Sequence, residues 1–136
     1  MSENIPIINN GILIINAIPS HIKMGHWILL YVKFNQIMYF DSFGMDPMFY
    51  DKRLIKYCNR YKNLIIANRK TIQSEKSFVC GAYCIYVCYK LSEHQNISKI
   101  ISSISYKNKL KNDSNDFSFV MKLVGGNCSI ILCLCL

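Results

Sequence analysis

The sequence predicts one small α+β domain, and three observations carry that reading. The chain has 136 residues, of which 51% are hydrophobic and 18% charged. Two β-branched and aromatic runs, 26–34 and 36–40, read as strands. A longer apolar run at 80–91, free of proline, reads as a helix. A chain of this size buries one core and not two, which excludes a two-domain enzyme. Isoleucine and aromatic residues spread along its length exclude a disordered chain.

Taken in order, residues 5–18 are apolar around Asn9-Asn10-Gly11 and read as two short strands about a turn. Pro19-Ser20 ends them. The runs at 26–34 and 36–40 lack polar alternation, the mark of central strands buried on both faces. Asp46-Pro47 marks a turn. Over 48–61, Leu54, Tyr57, Cys58 and Tyr61 fall on one side and Arg53, Lys56 and Arg60 on the other, the spacing of an amphipathic helix. A short strand at 64–67 and a polar loop at 68–79 lead to the helix at 80–91, which is apolar nearly all round and too long for an average strand. Beyond it the sequence predicts a helix near 97–106, a charged loop at 107–116 and a strand at 117–123.

Sixteen Lys and Arg residues against eight Asp and Glu give a formal charge of +8. That favours contact with polyanions such as DNA. The basic residues are dispersed from Lys23 to Lys122, however, with Lys52-Arg53 and Arg69-Lys70 the only adjacent pairs, a distribution that a solubilising surface also explains. Seven cysteines cannot all pair with one another. The polar, acidic opening of the chain is unlike a secretion signal, so free thiols in a reducing cytosol or nucleus are expected. No apolar run reaches the roughly 18–20 residues that cross a bilayer. The terminal CSIILCLCL, 128–136, is about half that length; it reads as a buried strand, a membrane-touching or palmitoylated tail, or an out-of-frame scar.

Cys80 stands where the polar loop meets the apolar run, so its sulfur falls at the N-terminus of the expected helix. Unpaired amides and the macrodipole there favour the thiolate, the nucleophilic form. Gly81 lets another backbone or a substrate come close. Cys84 and Cys88 follow at four-residue intervals, deeper on the same face, and read as small core residues. A metal site through 80, 84 and 88 is disfavoured, because that spacing holds no C-x2-C pair and one helical row offers no tetrahedral set.

A thiolate nucleophile needs a base that takes and returns its proton. Among His21, His26 and His94, His26 stands out: it follows Gly25, precedes an apolar strand, and has Asp41 at the end of the next one. A hairpin closed by a four-residue loop at 32–35 sets His26 opposite Asp41; a tighter Asn35-Gln36 turn sets Leu30 there. Either register points His26 and Asp41 to the same sheet face. A buried carboxylate without a partner is costly, and the imidazole supplies one. Asp41 would then hold the ring tautomer and stabilise the imidazolium. Asp46 and Glu75 sit in polar, turn-like surroundings and read as solvated. Gln73, seven residues before Cys80, brings an amide donor that can form an oxyanion hole with the Cys80 backbone N–H.

In the order His, Asp, Gln, Cys, the strings Gly25-His26-Trp27, Phe40-Asp41-Ser42-Phe43-Gly44, Gln73-Ser74 and Cys80-Gly81-Ala82-Tyr83-Cys84 resemble the adenovirus-type cysteine proteases (adenain). More distantly they resemble the SUMO and ubiquitin-like proteases. The resemblance covers residues 24–91. It implies His26 as general base, Asp41 as orienter where adenain carries Glu, Gln73 as oxyanion donor and Cys80 as nucleophile. It also implies a papain-like fold in circularly permuted order, with the nucleophile on a central helix packed against a small antiparallel sheet. A narrow cleft bordered by Trp27, Gly25 and Gly81 would take substrates with small residues such as Gly. Strict strand alternation puts Trp27 on the face opposite His26, so Trp27 is expected at the site only if the strand starts after it.

The implied substrates are viral or virus-like polyproteins and virion precursors. The implied setting is the host nucleus or cytoplasm, or the virion itself, with the enzyme a monomer and not secreted. The chemistry implies no cofactor; DNA or a short viral peptide are the activators the family uses. Two other readings stand beside this one: a SUMO or ubiquitin-like deconjugating protease, and a catalytically silent basic module that binds nucleic acid or protein.

Overall fold

The computed structural model describes residues 5–18 and 25–125. Its frame is a four-stranded sheet in the order β1 (Gly11–Asn16), β2 (Trp27–Lys33), β3 (Gln36–Phe40), β4 (Asn63–Ile66). Alternation along the strands sends side chains to two different cores. Ile28, Leu30, Val32, Ile37 and Tyr39 pack with Leu54, Tyr57 and Cys58 of α1 (Lys52–Cys58) on one face. Leu29, Met38 and Phe40 pack on the other with Tyr83, Cys84 and Val87 of α2 (Cys80–Ser92) and with Ile100 and Ile101 of α3 (Ile97–Ser102). Burial on both faces is what the absence of polar alternation in β2 and β3 requires. The domain is therefore α+β.

The hairpin register lies midway between the two expected ones. Lys33 pairs with Gln36, and the turn is Phe34-Asn35, both at positive φ (51° and 58°). Phe is an uncommon residue in that region, although two positive-φ residues match the twist of a two-residue hairpin. The pairing still leaves His26 and Asp41 on one side, because the shift relative to either expected register is two residues.

The sheet is mixed, which corrects the expectation of an antiparallel one: β4 runs parallel to β3. The connection from β3 passes through α1 and returns in the same direction, as a crossover requires. Only one strand forms in 5–18. Residues 5–10 stay irregular because side chains satisfy their backbone: the Tyr57 and Tyr61 hydroxyls donate to the carbonyls of Pro6 and Ile8, each at 2.9 Å. The helix expected over 48–61 is divided. Asp46 caps a 3-10 turn (Pro47–Phe49) and Asp51 caps α1, accepting from Arg53 N at 2.7 Å. The helix near 97–106 is shorter than expected, and Asn96 caps it.

The largest correction concerns the loop at 107–116 and the strand at 117–123, which are together one helix, α4 (Lys109–Gly125). Its buried face carries Asn112, Asp113 and Asp116, and the Phe119 ring lies 5.2 Å from those of both Tyr86 and Tyr89. The spacing is helical, but the buried positions are mostly polar, so no apolar periodicity announced it. Among the described residues no helix is long and apolar enough to cross a membrane. His21 and the tail 128–136 lie outside the described residues.

Gly44 closes the turn after β3, donating to Asp41 O at 2.8 Å with φ at +68°. A Cβ there would stand 2.7 Å from the Lys70 carbonyl carbon. Gly44→Ala is expected to lower stability by about 1–3 kcal/mol from backbone strain alone, read as a reduced urea midpoint; an unchanged midpoint would show that the turn relaxes freely.

Candidate active site

The site forms where the sheet ends and its two faces meet. His26 sits one residue before β2, and its backbone is held there: His26 O accepts from Ala17 N at 2.7 Å, and His26 N donates to Asn16 Oδ1 at 3.1 Å. Gly25 makes room for this clamp, since a Cβ would fall 2.1 Å from Asn16 Nδ2. Gly25 is therefore set against Asn16 of β1, the strand partner of β2.

Asp41 follows β3 directly and is wholly buried. Its carboxylate accepts from His26 Nε2 at 2.6 Å, Phe43 N at 2.9 Å, Met45 N at 3.1 Å and Tyr50 Oη at 2.7 Å. Asn68 Nδ2 holds its backbone carbonyl at 2.6 Å. The imidazole lies between Phe43 and Tyr50, with ring centroids 5.0 and 5.5 Å away. Burial and the charge of Asp41 raise the titration of Tyr50, which keeps its hydroxyl a donor.

Cys80 is the first residue of α2, and its helix N-terminus has no side-chain cap and no acidic residue in the first turn. The sulfur accepts from Trp27 N at 3.5 Å and from the Gly81 amide. The His26 ring lies close enough to stabilise charge on it. With Nε2 engaged by Asp41, Nδ1 is the nitrogen left for the thiol. Burial opposes charge on both groups and is the largest single influence on each. The hydrogen bonds and opposite charges outweigh it: His26, held by Asp41 and Cys80, is pushed up to about 9. Cys80, held by His26 and the two amides, is drawn below the ordinary thiol range. The arrangement favours a thiolate–imidazolium pair. Cys58, buried without such partners, is pushed up to about 12.

Trp27 starts β2 and lies on the α2 face, as alternation requires, yet it borders the thiol. The expectation that it must precede the strand to reach the site is corrected, because Cys80 arrives from that same face while His26 packs with Tyr50 on the other. A Cβ on Gly81 would meet Trp27 Cδ1 at 3.6 Å, an ordinary contact.

Gln73 is fully buried, but its side-chain bonds go elsewhere: Oε1 accepts from Ser42 Oγ at 2.6 Å, and Nε2 donates to Ser77 O at 2.8 Å. It ties the turn after Asp41 to the loop before Cys80, with one amide hydrogen to spare. Asp46 caps a turn, Glu75 and His94 are exposed, and Cys84 is buried in the core. Sequence reasoning missed Tyr50, Asn16, Ser42 and Asn68. Their signal, polar atoms beside apolar runs, is too common to single them out.

No protein-family model, curated protein or solved structure matches the chain.

Two outcomes are expected. Iodoacetamide near neutral pH should label Cys80 more than about tenfold faster than Cys58. His26→Ala should raise the midpoint of the Cys80 pH–rate curve, because burial then acts unopposed, and slow labelling about tenfold per unit of that rise. Equal rates at Cys80 and Cys58 would sink the ion-pair assignment. Separately, Tyr50→Phe keeps the ring against His26 but removes a donor from a buried carboxylate. Urea unfolding should register a loss of about 1.5–3 kcal/mol; no loss would mean that another donor replaces it.

Proposed function

We propose that the chain is a cysteine endopeptidase of the adenain-like kind, with a papain-like arrangement in circularly permuted order. The observation that carries the proposal is the Asp41–His26 hydrogen bond with the Cys80 thiol beside the ring at the uncapped N-terminus of α2. A lone reactive cysteine fits many roles, but a thiol, an imidazole and a buried carboxylate in series fit nucleophilic acyl transfer.

In that chemistry the Cys80 sulfur attacks the scissile carbonyl carbon. The developing oxyanion is received by the Cys80 backbone N–H and, as the resemblance implies, by the spare Gln73 amide hydrogen. His26 gives its proton to the leaving amine. A water then loses a proton to His26 and attacks the thioester, releasing the acid and restoring the pair. Asp41 keeps the ring oriented and its charge balanced throughout. Trp27 and Gly81 at the thiol suit a narrow cleft and a small residue beside the cut. Viral or virus-like polyproteins are the proposed substrates, ahead of SUMO or ubiquitin-like conjugates.

A polyprotein peptide containing Gly-Gly-X should be cleaved and a SUMO fusion left intact, and Cys80→Ala should abolish cleavage. Asp41→Asn should cut kcat by about 10²–10⁴-fold. The rate should hold at mildly acidic pH, where the thiolate already exists, and fall as pH rises through about 9, where His26 loses the proton the amine needs. Cleavage that persists in Cys80→Ala, or that keeps rising above pH 9, would overturn the mechanism.

A further inference from the structure

Helix α4 is inverted relative to an ordinary surface helix, with polar side chains turned toward the protein and apolar ones toward water. Asn112, Asp113 and Asp116 are 9%, 7% and 6% exposed, against 74%, 53% and 56% for Leu110, Phe117 and Met121. Asn112 and Asp113 are held inward by partners. Asn112 Nδ2 donates to Ile72 O at 3.1 Å and to Ser105 O at 2.6 Å, and Asp113 accepts from Tyr83 Oη at 2.8 Å and from Ser74 N at 3.2 Å. The exposed set leaves apolar area in water, which a partner surface would cover.

At 3.6 residues per turn, positions 110, 117 and 121 fall within about 40° of one another around the axis, so they form one stripe roughly 16 Å long. Lys111 and Lys122, both exposed, flank it about 100–120° round the helix, and exposed Lys107 stands before the first turn. None of these lysines makes an ion pair among the described residues. The two carboxylates of α4, Asp113 and Asp116, are buried, so the outer side of the helix is apolar and purely cationic. Pairing it with the same face of a second copy would cover the stripe but crowd lysines against lysines. A surface that is negative outside and apolar just beneath satisfies both features together. Residues 128–136, next along the chain, have no charged side chain and five Ile and Leu among nine positions, the same preference in sequence.

We propose that the exposed face of α4 docks on an anionic phospholipid bilayer, with Leu110, Phe117 and Met121 entering the acyl boundary and Lys111 and Lys122 against the headgroup phosphates. The contact lies in the plane of the interface; among the described residues no helix is long and apolar enough to cross a membrane. Docking uses no residue of the Asp41–His26–Cys80 site, so the proposal stands or falls independently of the protease reading.

The test is co-sedimentation of the full chain with vesicles of phosphatidylcholine alone and with vesicles that also hold about 30% phosphatidylserine. Binding should be at least about tenfold tighter to the anionic vesicles, and Lys111→Glu with Lys122→Glu should remove that preference, since each lysine near such a surface contributes about fivefold. The same reversal at Lys56 and Lys62, exposed on and after α1, should cost less than about threefold. Phe117→Ser with Met121→Ser should weaken binding to the anionic vesicles at least about tenfold and leave the urea midpoint unchanged, because both side chains are exposed. The Cys80→Ala chain should bind as the unmutated chain does. Four results would overturn the proposal: no binding, or equal binding to the two kinds of vesicle; an equal loss from either pair of lysine reversals, which is attraction by net charge alone; binding that survives Phe117→Ser with Met121→Ser, which assigns the contact to 128–136; or a dimer in sedimentation equilibrium that this variant dissociates, which assigns the stripe to a second copy.

Discussion

The Asp41 carboxylate is the constraint around which this end of the molecule is built. A negative charge with no exposure to water must be met by donors, and here they come from separate pieces of chain. His26 precedes β2, Phe43 and Met45 belong to the turn after β3, and Tyr50 lies between the 3-10 turn and α1. Asn68, beyond β4, fixes the Asp41 carbonyl. Each donor immobilises its own segment. Leaving any one bond unmade exposes a buried acceptor at a cost of about 1–3 kcal/mol. The precise turn geometry, including the positive φ of Gly44, follows from the need to aim two backbone amides at one side chain.

The second consequence is electrostatic. Cys58 shows the direction in which burial drives a thiol in this core: burial first, with the charge of Asp46 adding to it, pushes its pKa up to about 12. Cys80 is similarly hidden and moves the other way. The imidazolium, the Trp27 and Gly81 amides and their opposite polarity therefore outweigh the penalty of burial. None of these would suffice with an imidazole free to turn. Asp41 holds Nε2 at 2.6 Å, and that bond leaves Nδ1 for sulfur. The meeting is possible because α2 packs on one sheet face and begins at the sheet's end, so its first residue reaches past the edge to a ring that packs on the other side.

Much of this was legible in the residues, for identifiable reasons. The strands β2 and β3 and the helix α2 are long apolar stretches whose periodicity reports burial directly. His26 and Asp41 stand out because each is a costly residue at the end of such a stretch, and cost demands a partner; Cys80 stands out because it opens the apolar run, where a helix N-terminus favours a thiolate. The two-residue turn at Phe34-Asn35 could not be read off, since Phe carries no preference for positive φ. Helix α4 was misread for the opposite reason from α2. Its buried face is made of Asn112, Asp113 and Asp116, which hydropathy scores as surface although tertiary partners hold them inside.

Those polar residues have a structural logic that connects α4 to the thiol. Asn112 Nδ2 donates to Ile72 O at 3.1 Å, and Asp113 accepts from Ser74 N and Tyr83 Oη. Between Ile72 and Ser74 lies Gln73, whose own amide reaches Ser42 beside Asp41 and Ser77 before Cys80. The loop leading to Cys80 is thus fixed from both sides by hydrogen bonds, where apolar packing would leave it free to slide. Hydrogen bonds set direction and register as dispersion contacts do not. An apolar α4 could cover α2 equally well, but it would offer no acceptor to Ser74 and no donor to Ile72. The polar face therefore belongs to the placement of the loop, and through it to the placement of Cys80.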